Sequence, residues 1–236
     1  MASVQNPCRI LGADLTTLAK CERIIENISA VVPFDNILVS GLDADGMRVG
    51  TGTILISNFP VAYLNTYYLE SYPKIDPIVA LTLSAQRTVT DEEAWRDRKQ
   101  DAKSQRLQDL LLRYGIRHRT VVPVARSGRA YGSVVVTSQR PLKESEREYL
   151  EFSAEPLHQI SSQPFEDEVR ARLGLTAGEI QCLALASLGL TSDEIGGRSA
   201  YTVETVNSYL KAATKKLGAA NRTQAVAEAV RRKLIS

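Results

Sequence analysis

Polar side chains suited to contacting another molecule fall into two clusters of this sequence. The first is a tyrosine-rich stretch ending in Asp76-Pro77, in which Tyr63 and Tyr67 stand four residues apart. Phenol hydroxyls and a carboxylate can hydrogen-bond to a small molecule. A purely structural role is equally open, because Asp before Pro is an ordinary helix cap and residues at i and i+4 pack on one helix face.

The second cluster is basic and lies near the C-terminus. From Gly196 onward the chain has eight lysines and arginines and two glutamates, a balance of 8 − 2 = +6, whereas the whole chain carries only +2. A concentration of this kind is the electrostatic footprint of a nucleic-acid binder, although a solvated helix surface has the same composition.

Neither cluster contains a catalytic constellation. His118 and His158 lie far apart, with no carboxylate or cysteine at ligand spacing, so they predict neither a metal site nor a general base. The sequence has no phosphate loop, nucleophile elbow or paired catalytic carboxylates. We therefore expect a protein that is not an enzyme and that needs no metal and no cofactor.

The bulk composition is that of an ordinary globular protein. The chain is 44% hydrophobic and 24% charged, enough to bury a core without disulfides. Its three cysteines have no framework spacing, which fits a reducing compartment. Since there is no membrane-length apolar run and no signal-peptide pattern, we expect a cytoplasmic protein that does not bind a membrane.

The first two thirds of the chain alternate between helix and strand patterns. Strands are predicted at residues 34–42, 47–56, 120–125 and 131–137, with a turn at residues 43–46, and helices at residues 61–72, 78–85 and 143–162. Asp76 caps the second of these helices, with Pro77 at its first position. The fold class is therefore α+β: an α-β-α sandwich with an antiparallel sheet of four or five strands, whose interior can house a small ligand.

The last third of the chain has only helix patterns, which predict an all-α, four-helix domain. We predict a first domain over residues 1–163, a linker over residues 164–170 and a second domain over residues 171–236. Thr176 and Glu179 form a capping box, and a short helix beginning at Thr191 precedes a longer helix capped by Thr202. A short helix, a tight turn and a longer helix with a polar start are typical of a helix-turn-helix.

In that geometry the second helix enters the major groove of double-stranded DNA. Thr202 opens this helix, and the side chains expected at base edges are Glu204, Thr205, Asn207, Ser208 and Lys211. Lys215, Lys216 and Arg222 lie further along and are expected to meet phosphates.

The C-terminal domain resembles the LuxR-type helix-turn-helix over about sixty residues. The matching features are Leu175-Thr176, Glu179, Leu183, Gly189-Leu190-Thr191, Glu194-Ile195, Thr202-Val203, Val206, Leu210, Lys216-Leu217, Asn221-Arg222 and Ala225. The sequence departs from the family at Gly178, at Tyr209, where histidine is common, and at Gly196-Gly197. The resemblance implies dimerisation partly through the last helix, residues 225–234.

The first domain resembles the autoinducer-binding half of quorum-sensing LuxR proteins at Tyr63-x3-Tyr67-x8-Asp76-Pro77. The resemblance implies that Tyr67 and Asp76 face the amide of an acyl-homoserine lactone and that Tyr63 takes a tryptophan's place. Asp91 stands where the family usually has a tryptophan that packs against the lactone, and Trp95 lies four residues later. Arg119 stands where the family has a glycine. Arg119 would shrink the pocket or pair with Asp91 or an acidic ligand.

Together these features predict a homodimeric transcription regulator that binds an inverted-repeat operator under control of an acyl-homoserine lactone or another small signal. The ligand-binding candidates are Tyr63, Tyr67, Asp76, Asp91, Trp95 and Arg119. The changes at Asp91 and Arg119 leave an alternative open: a ligand-independent regulator that acts constitutively or by pairing with related regulators.

Overall fold

The computed structural model of the chain describes residues 9–10, 15–41, 53–96, 101–126, 129–232 and 234–235. The chain divides into two compact units, Met1–Pro164 and Phe165–Ser236. The predicted turn at residues 43–46, the first part of the predicted strand at 47–56, and Lys233 of the basic cluster lie outside the described residues. Within the described part of the chain, no helix is both long and apolar enough to cross a membrane.

The first unit is built on a six-stranded antiparallel sheet in the order β1-β3-β2-β6-β5-β4. The strands are β1 (Arg9–Ile10), β2 (Asn36–Ser40), β3 (Ile54–Ser57), β4 (Val89–Thr90), β5 (Thr120–Arg126) and β6 (Arg129–Thr137). The four strands predicted from their apolar, β-branched composition all form, so the antiparallel sheet is confirmed. At two residues each, β1 and β4 are too short to leave a pattern in the sequence.

Helices pack on both faces of this sheet. They are α1 (Leu15–Val31), α2 (Val61–Leu69), α3 (Pro77–Ala85), α4 (Asp91–Trp95), α5 (Ala102–Arg113) and α6 (Glu144–Leu173). Leu38 and Val135 of one face pack against α2 and α5. On α6, Nε2 of His158 lies 3.2 Å from the Ser40 carbonyl oxygen. Gly132 faces this ring and stands three positions before Val135 on β6, so α6 lies on the opposite face and the predicted α-β-α sandwich is confirmed.

Gly132 allows α6 to approach the sheet closely. A Cβ atom at this position would lie 2.1 Å from Nε2 of His158 and 2.5 Å from the Ser40 carbonyl oxygen. No side chain fits in that space, so the glycine of β6 sets how closely helix and sheet pack.

The ends of α2 and α3 follow local backbone chemistry. The helix predicted over residues 61–72 stops at Leu69, because Ser71 takes the left-handed conformation (φ 57°) and Pro73 lies in a separate 3-10 turn, Tyr72–Lys74. The predicted start of α3 is confirmed: the Ile78 amide donates to the Asp76 side chain, and Pro77 occupies the first position.

The second unit contains α7 (Ala177–Ser187), α8 (Ser192–Arg198), α9 (Val203–Lys216) and α10 (Arg222–Arg231). The predicted capping box of Thr176 and Glu179 is present at the start of α7. Leu183, Ile195 and Val206 are buried together in the apolar core of this unit. The predicted all-α, four-helix arrangement is therefore confirmed.

The predicted linker over residues 164–170 is helical, because α6 continues to Leu173 with Pro156 and Pro164 inside it. A proline removes one backbone donor from a helix but keeps a φ angle that the helix accepts. The division between the two compact units falls directly after Pro164. The domain limits at residues 163 and 171 stay a prediction.

Candidate functional site

A cavity opens in the first unit beside the sheet, α2 and α3. Its space is about 620 Å³, part of which is open to solvent. Most of its lining is apolar or aromatic, including Leu38, Phe59, Leu64, Ile78, Val121 and Val135. A concave surface with an apolar and aromatic lining of this kind suits a small organic ligand.

A cluster of charged side chains borders the cavity: the buried Asp76 and Arg119 and the half-buried Asp91. Nη1 of Arg119 donates to Oδ2 of Asp76 at 2.6 Å, and Nη2 donates to Oδ1 at 3.1 Å. Toward Asp91, Nε lies 3.1 Å from both carboxylate oxygens and Nη2 lies 2.9 Å from Oδ1. The planar guanidinium thus grips two carboxylates in bidentate fashion. Two carboxylates and one guanidinium give the cluster one net negative charge.

The β4–β5 ladder brings two members of this cluster together. Thr90 pairs with Thr120 in that ladder, which places Asp91, the first residue of α4, beside Arg119. The Arg119 amide donates to the Asp91 carboxylate at 2.9 Å, and the Asp91 amide donates to the Arg119 carbonyl at 3.0 Å. The predicted pairing of Arg119 with Asp91 is therefore present.

Asp76 is fully buried and fills the structural role that the sequence left open, that of helix cap. Its Oδ1 accepts from the Ile78 amide at 3.2 Å, which is the helix cap. Its Oδ2 accepts from the Tyr67 hydroxyl at 2.7 Å, in addition to the contacts from Arg119. Each carboxylate oxygen therefore accepts two hydrogen bonds from within the protein.

Burial and these charges set the protonation of the site. Burial raises the pKa of Tyr67 well above its usual range, and the nearby Asp76 carboxylate raises it further. Burial also raises the pKa of Tyr63, while the charge of Arg119 lowers it. For Arg119 burial opposes the charged form, but Asp76 and Asp91 outweigh it and raise the pKa. Both phenols are therefore neutral donors beside a charged guanidinium at physiological pH.

The predicted ligand-binding residues divide between the cavity surface and its surroundings. Tyr63, Tyr67 and Arg119 line the cavity. Asp76 and Asp91 contact Arg119 without lining it, and half-buried Trp95 packs on the apolar cluster of α2 and α5. The structure thus does not bring all six residues to one surface.

The sequence did not single out four polar residues of the lining: Ser40, Tyr68, Thr82 and Ser133. The Ser40 and Ser133 hydroxyls, on the adjacent strands β2 and β6, lie 2.8 Å apart and face the cavity. Strict alternation along the two strands places both serines on the same face as Leu38 and Val135, so this signal was present in the sequence.

In the second unit, α8, a turn and α9 form the candidate nucleic-acid interface. The Thr202 side chain caps α9 by accepting from the Thr205 amide at 3.2 Å. Of the predicted contacts, Glu204, Asn207, Ser208, Lys211 and Lys215 are exposed on α9, while Thr205 is half-buried. A helix whose first turns carry exposed amide, hydroxyl and amino groups can hydrogen-bond to base edges.

Besides Thr202 and Thr205, three of the predicted DNA contacts already hold partners within this unit. Nζ of Lys216 lies 2.7 Å from Oε1 of the buried Glu179, and Arg222 donates to the Leu190 carbonyl. Oδ1 of Asn207 accepts from the Ser192 hydroxyl at 2.6 Å. Lys216 and Arg222 therefore tie the helices of the unit together.

Two described protein families match parts of the chain. Residues 17–185 match the autoinducer binding domain, and residues 173–229 match the bacterial regulatory proteins of the luxR family. The transcriptional activator protein BjaR1 of Bradyrhizobium diazoefficiens is 28% identical over 211 residues, covering 86% of this chain and 84% of that protein.

Two further likenesses span nearly the whole chain. The transcriptional activator protein VanR of Vibrio anguillarum is 25% identical over 223 residues, covering 92% of this chain and 91% of that protein. The crystal structure of Escherichia coli SdiA, 19% identical, covers 91% of both chains with a TM-score of 0.55. At that identity, the structural likeness concerns the fold.

Proposed function

Because the chain belongs to the luxR family of bacterial regulatory proteins and carries their autoinducer binding domain, we propose that it is a transcription regulator. It binds double-stranded DNA through α9 and a small signal, such as an acyl-homoserine lactone, in the cavity of the first unit. The relatives BjaR1 and VanR are transcriptional activators. We therefore expect this protein to activate transcription. Because it binds DNA, we expect it to act in the cytoplasm.

The exposed polar start of α9 is the observation that supports DNA binding. Asn207 and Lys211 lie one helical turn apart and are both exposed. An asparagine amide suits adenine and a lysine amino group suits guanine, so we assign these two residues to base contacts. Lys215 is assigned to phosphate, while Lys216 and Arg222 act on DNA indirectly by holding α9 in place.

Selection of binding sites from random DNA by the full-length protein tests this assignment. We expect the enriched sequences to contain an inverted repeat, because the family resemblance implies a dimer with two recognition helices. Asn207→Ala and Lys211→Ala should each weaken binding to the enriched site by about 1–3 kcal/mol. Lys20→Ala, an exposed change on α1, is the matched control. Unchanged affinity in both α9 variants would contradict the assignment.

Signal binding is tested by thermal unfolding with a panel of acyl-homoserine lactones. A ligand that binds the folded chain stabilises it by about 2.7 kcal/mol at a concentration one hundred times its dissociation constant. We expect a clear rise in melting temperature for at least one chain length. A protein that binds DNA well but shows no rise would contradict control by these lactones.

A further inference from the structure

We propose that the cavity of the first unit takes an uncharged, largely apolar ligand that offers a hydrogen-bond acceptor, such as a carbonyl oxygen, and that needs no N–H donor. This inference deepens the proposed signal binding and rests on it. It follows from which polar atoms of the site already have partners and which do not.

The carboxylate of Asp76 has no acceptor capacity left for a ligand. Each of its oxygens accepts two hydrogen bonds, from Ile78 and Arg119 at Oδ1 and from Tyr67 and Arg119 at Oδ2. A carboxylate offers about four acceptor sites in all. Arg119 therefore occupies the positions that the N–H group of an amide ligand would otherwise take.

Donors, by contrast, are available at the cavity surface. A guanidinium has five N–H donors. The contacts to Asp76 and Asp91 use one at Nε, two at Nη2 and one at Nη1, so one Nη1 donor has no partner among the described residues. The Tyr63 hydroxyl likewise makes no hydrogen bond within the described part of the chain, and both side chains line the cavity. A ligand oxygen can accept from these two groups.

The charge balance of the site disfavours ions of either sign. Arg119 is the one charged side chain among the described residues that line the cavity, so a cation would meet the guanidinium and not the two carboxylates paired with it. An anion gains little, because Asp76 and Asp91 already outnumber the guanidinium they surround. The acidic ligand considered from the sequence is therefore not the one that this site favours. Burying an uncompensated charge in such an apolar cavity is costly.

Three matched probes separate the effect of an N–H donor on the ligand from the effect of its charge. They are an N-acyl-homoserine lactone, its ester analogue with oxygen in place of the amide N–H, and the ring-opened N-acyl-homoserine, which carries a carboxylate. Each is prepared with butanoyl, octanoyl and dodecanoyl chains. Dissociation constants are measured by calorimetry on the full-length protein, and binding of the selected DNA is measured in the same samples.

We expect the lactone and its ester to bind within about threefold of one another and the anion to bind about tenfold more weakly or worse. A preference of about tenfold or more for the amide, tightest binding of the anion, or no binding of any probe would each overturn the proposal. The DNA measurement separates these results from failure of the proposed function, because a chain that binds DNA but no probe is still a DNA-binding regulator.

Two variants extend the test. Arg119→Gly frees Asp76, so the amide should become favoured over the ester by about tenfold. Because this change also removes the cation from buried Asp76 and half-buried Asp91 and can prevent folding, Tyr63→Phe provides a milder test. It should weaken the lactone and the ester equally, by about fivefold to tenfold. Unchanged affinity of Tyr63→Phe for both probes would overturn the proposed acceptor contact.

Discussion

Lys215 and Lys216 of the second unit are neighbours in the sequence but lie in different surroundings. Lys215 is exposed, whereas Lys216 is half-buried and contacts both Glu179 and the Gly174 carbonyl oxygen at 2.7 Å. Burial raises the pKa of Glu179, but the hydrogen bonds from Lys216 and from the Thr176 backbone outweigh it and lower the pKa. Glu179 is therefore ionised, and its contact with Lys216 joins α7 to the end of α9.

Lys216→Ala should lower the free energy of unfolding of the second unit by about 1–2 kcal/mol, between the values for exposed and fully buried ion pairs. The reason is that Glu179 loses its cation while staying buried. Hydrogen exchange of the α7 and α9 amides in the full-length chain measures the change. Lys215→Ala is the control and should leave exchange unaltered while weakening DNA binding. Equal exchange in the two variants would argue against the structural role of Lys216.

We expect Glu146 to contribute to the stability of the first unit in a way that is lost in acid. Arg140 donates to both of its carboxylate oxygens, at 2.6 and 2.8 Å, and together with the Lys143 amide lowers the pKa of Glu146 from 4.5 to about 2. Because the folded-state pKa is depressed, this contribution is complete above the unfolded value and is lost as pH falls through the folded one.

We therefore expect Glu146→Gln to lower the melting temperature near neutral pH. The difference from wild type should shrink between pH 4.5 and about 2. Glu148→Gln, on the exposed side of the same helix, is the control and should track wild type throughout. A difference between wild type and Glu146→Gln that is independent of pH would refute the ionic origin of the effect.

The residue types of the site were readable from the sequence, but the partner of Asp76 was not. The helix cap followed from Asp76-Pro77 alone, since it depends on neighbouring residues. The bond between Asp76 and Arg119 joins residues 43 positions apart. It depends on the packing of Ile78, on α3, against Val121, on β5, which no local pattern in the sequence specifies.

At the scale of elements, two departures from the family pattern prove to be in contact. A Cβ atom on Gly178 of α7 would lie 2.7 Å from the ring of Tyr209 on α9, and Tyr209 meets Tyr201 edge-on at 5.1 Å. The large residue on one helix thus occupies space left by the small residue on the other. From the sequence these were separate anomalies, because only helix packing places positions 178 and 209 together.

Gly178→Ala should therefore destabilise the second unit by about 1–3 kcal/mol through overpacking. Adding Tyr209→Ala should recover part of this loss, which a double-mutant cycle measures as a coupling energy. Gly197→Ala is the matched control, since Gly197 is exposed within α8 with nothing within 4 Å of the added carbon. It should stabilise the unit by about 0.5–1 kcal/mol. Additive effects of the changes at 178 and 209 would contradict the coupling.

At the scale of the whole molecule, the proposed dimer should bind an inverted repeat more tightly than a single half-site. Val230 of α10 is 49% exposed, and the family resemblance implies that this helix helps to pair two copies. Val230→Glu should weaken binding to an inverted repeat by tenfold or more and leave binding to a single half-site unchanged. Thr223→Glu adds the same charge at an exposed position of α10 and serves as the control. Equal losses on both DNAs would count against pairing through α10.

The two central strands of the sheet are far apart in the sequence, so the ribosome makes one well before the other. The central strands β2 and β6 meet through contacts such as that of Asn36 with Thr137, residues 101 positions apart. At about 5–20 residues per second, the ribosome needs roughly 5–20 seconds to add the missing partner strand. During that interval β2 lacks one neighbour, and the apolar wall of the cavity is incomplete. Nascent chains are thus more exposed to aggregation before β6 emerges than after the sheet is complete.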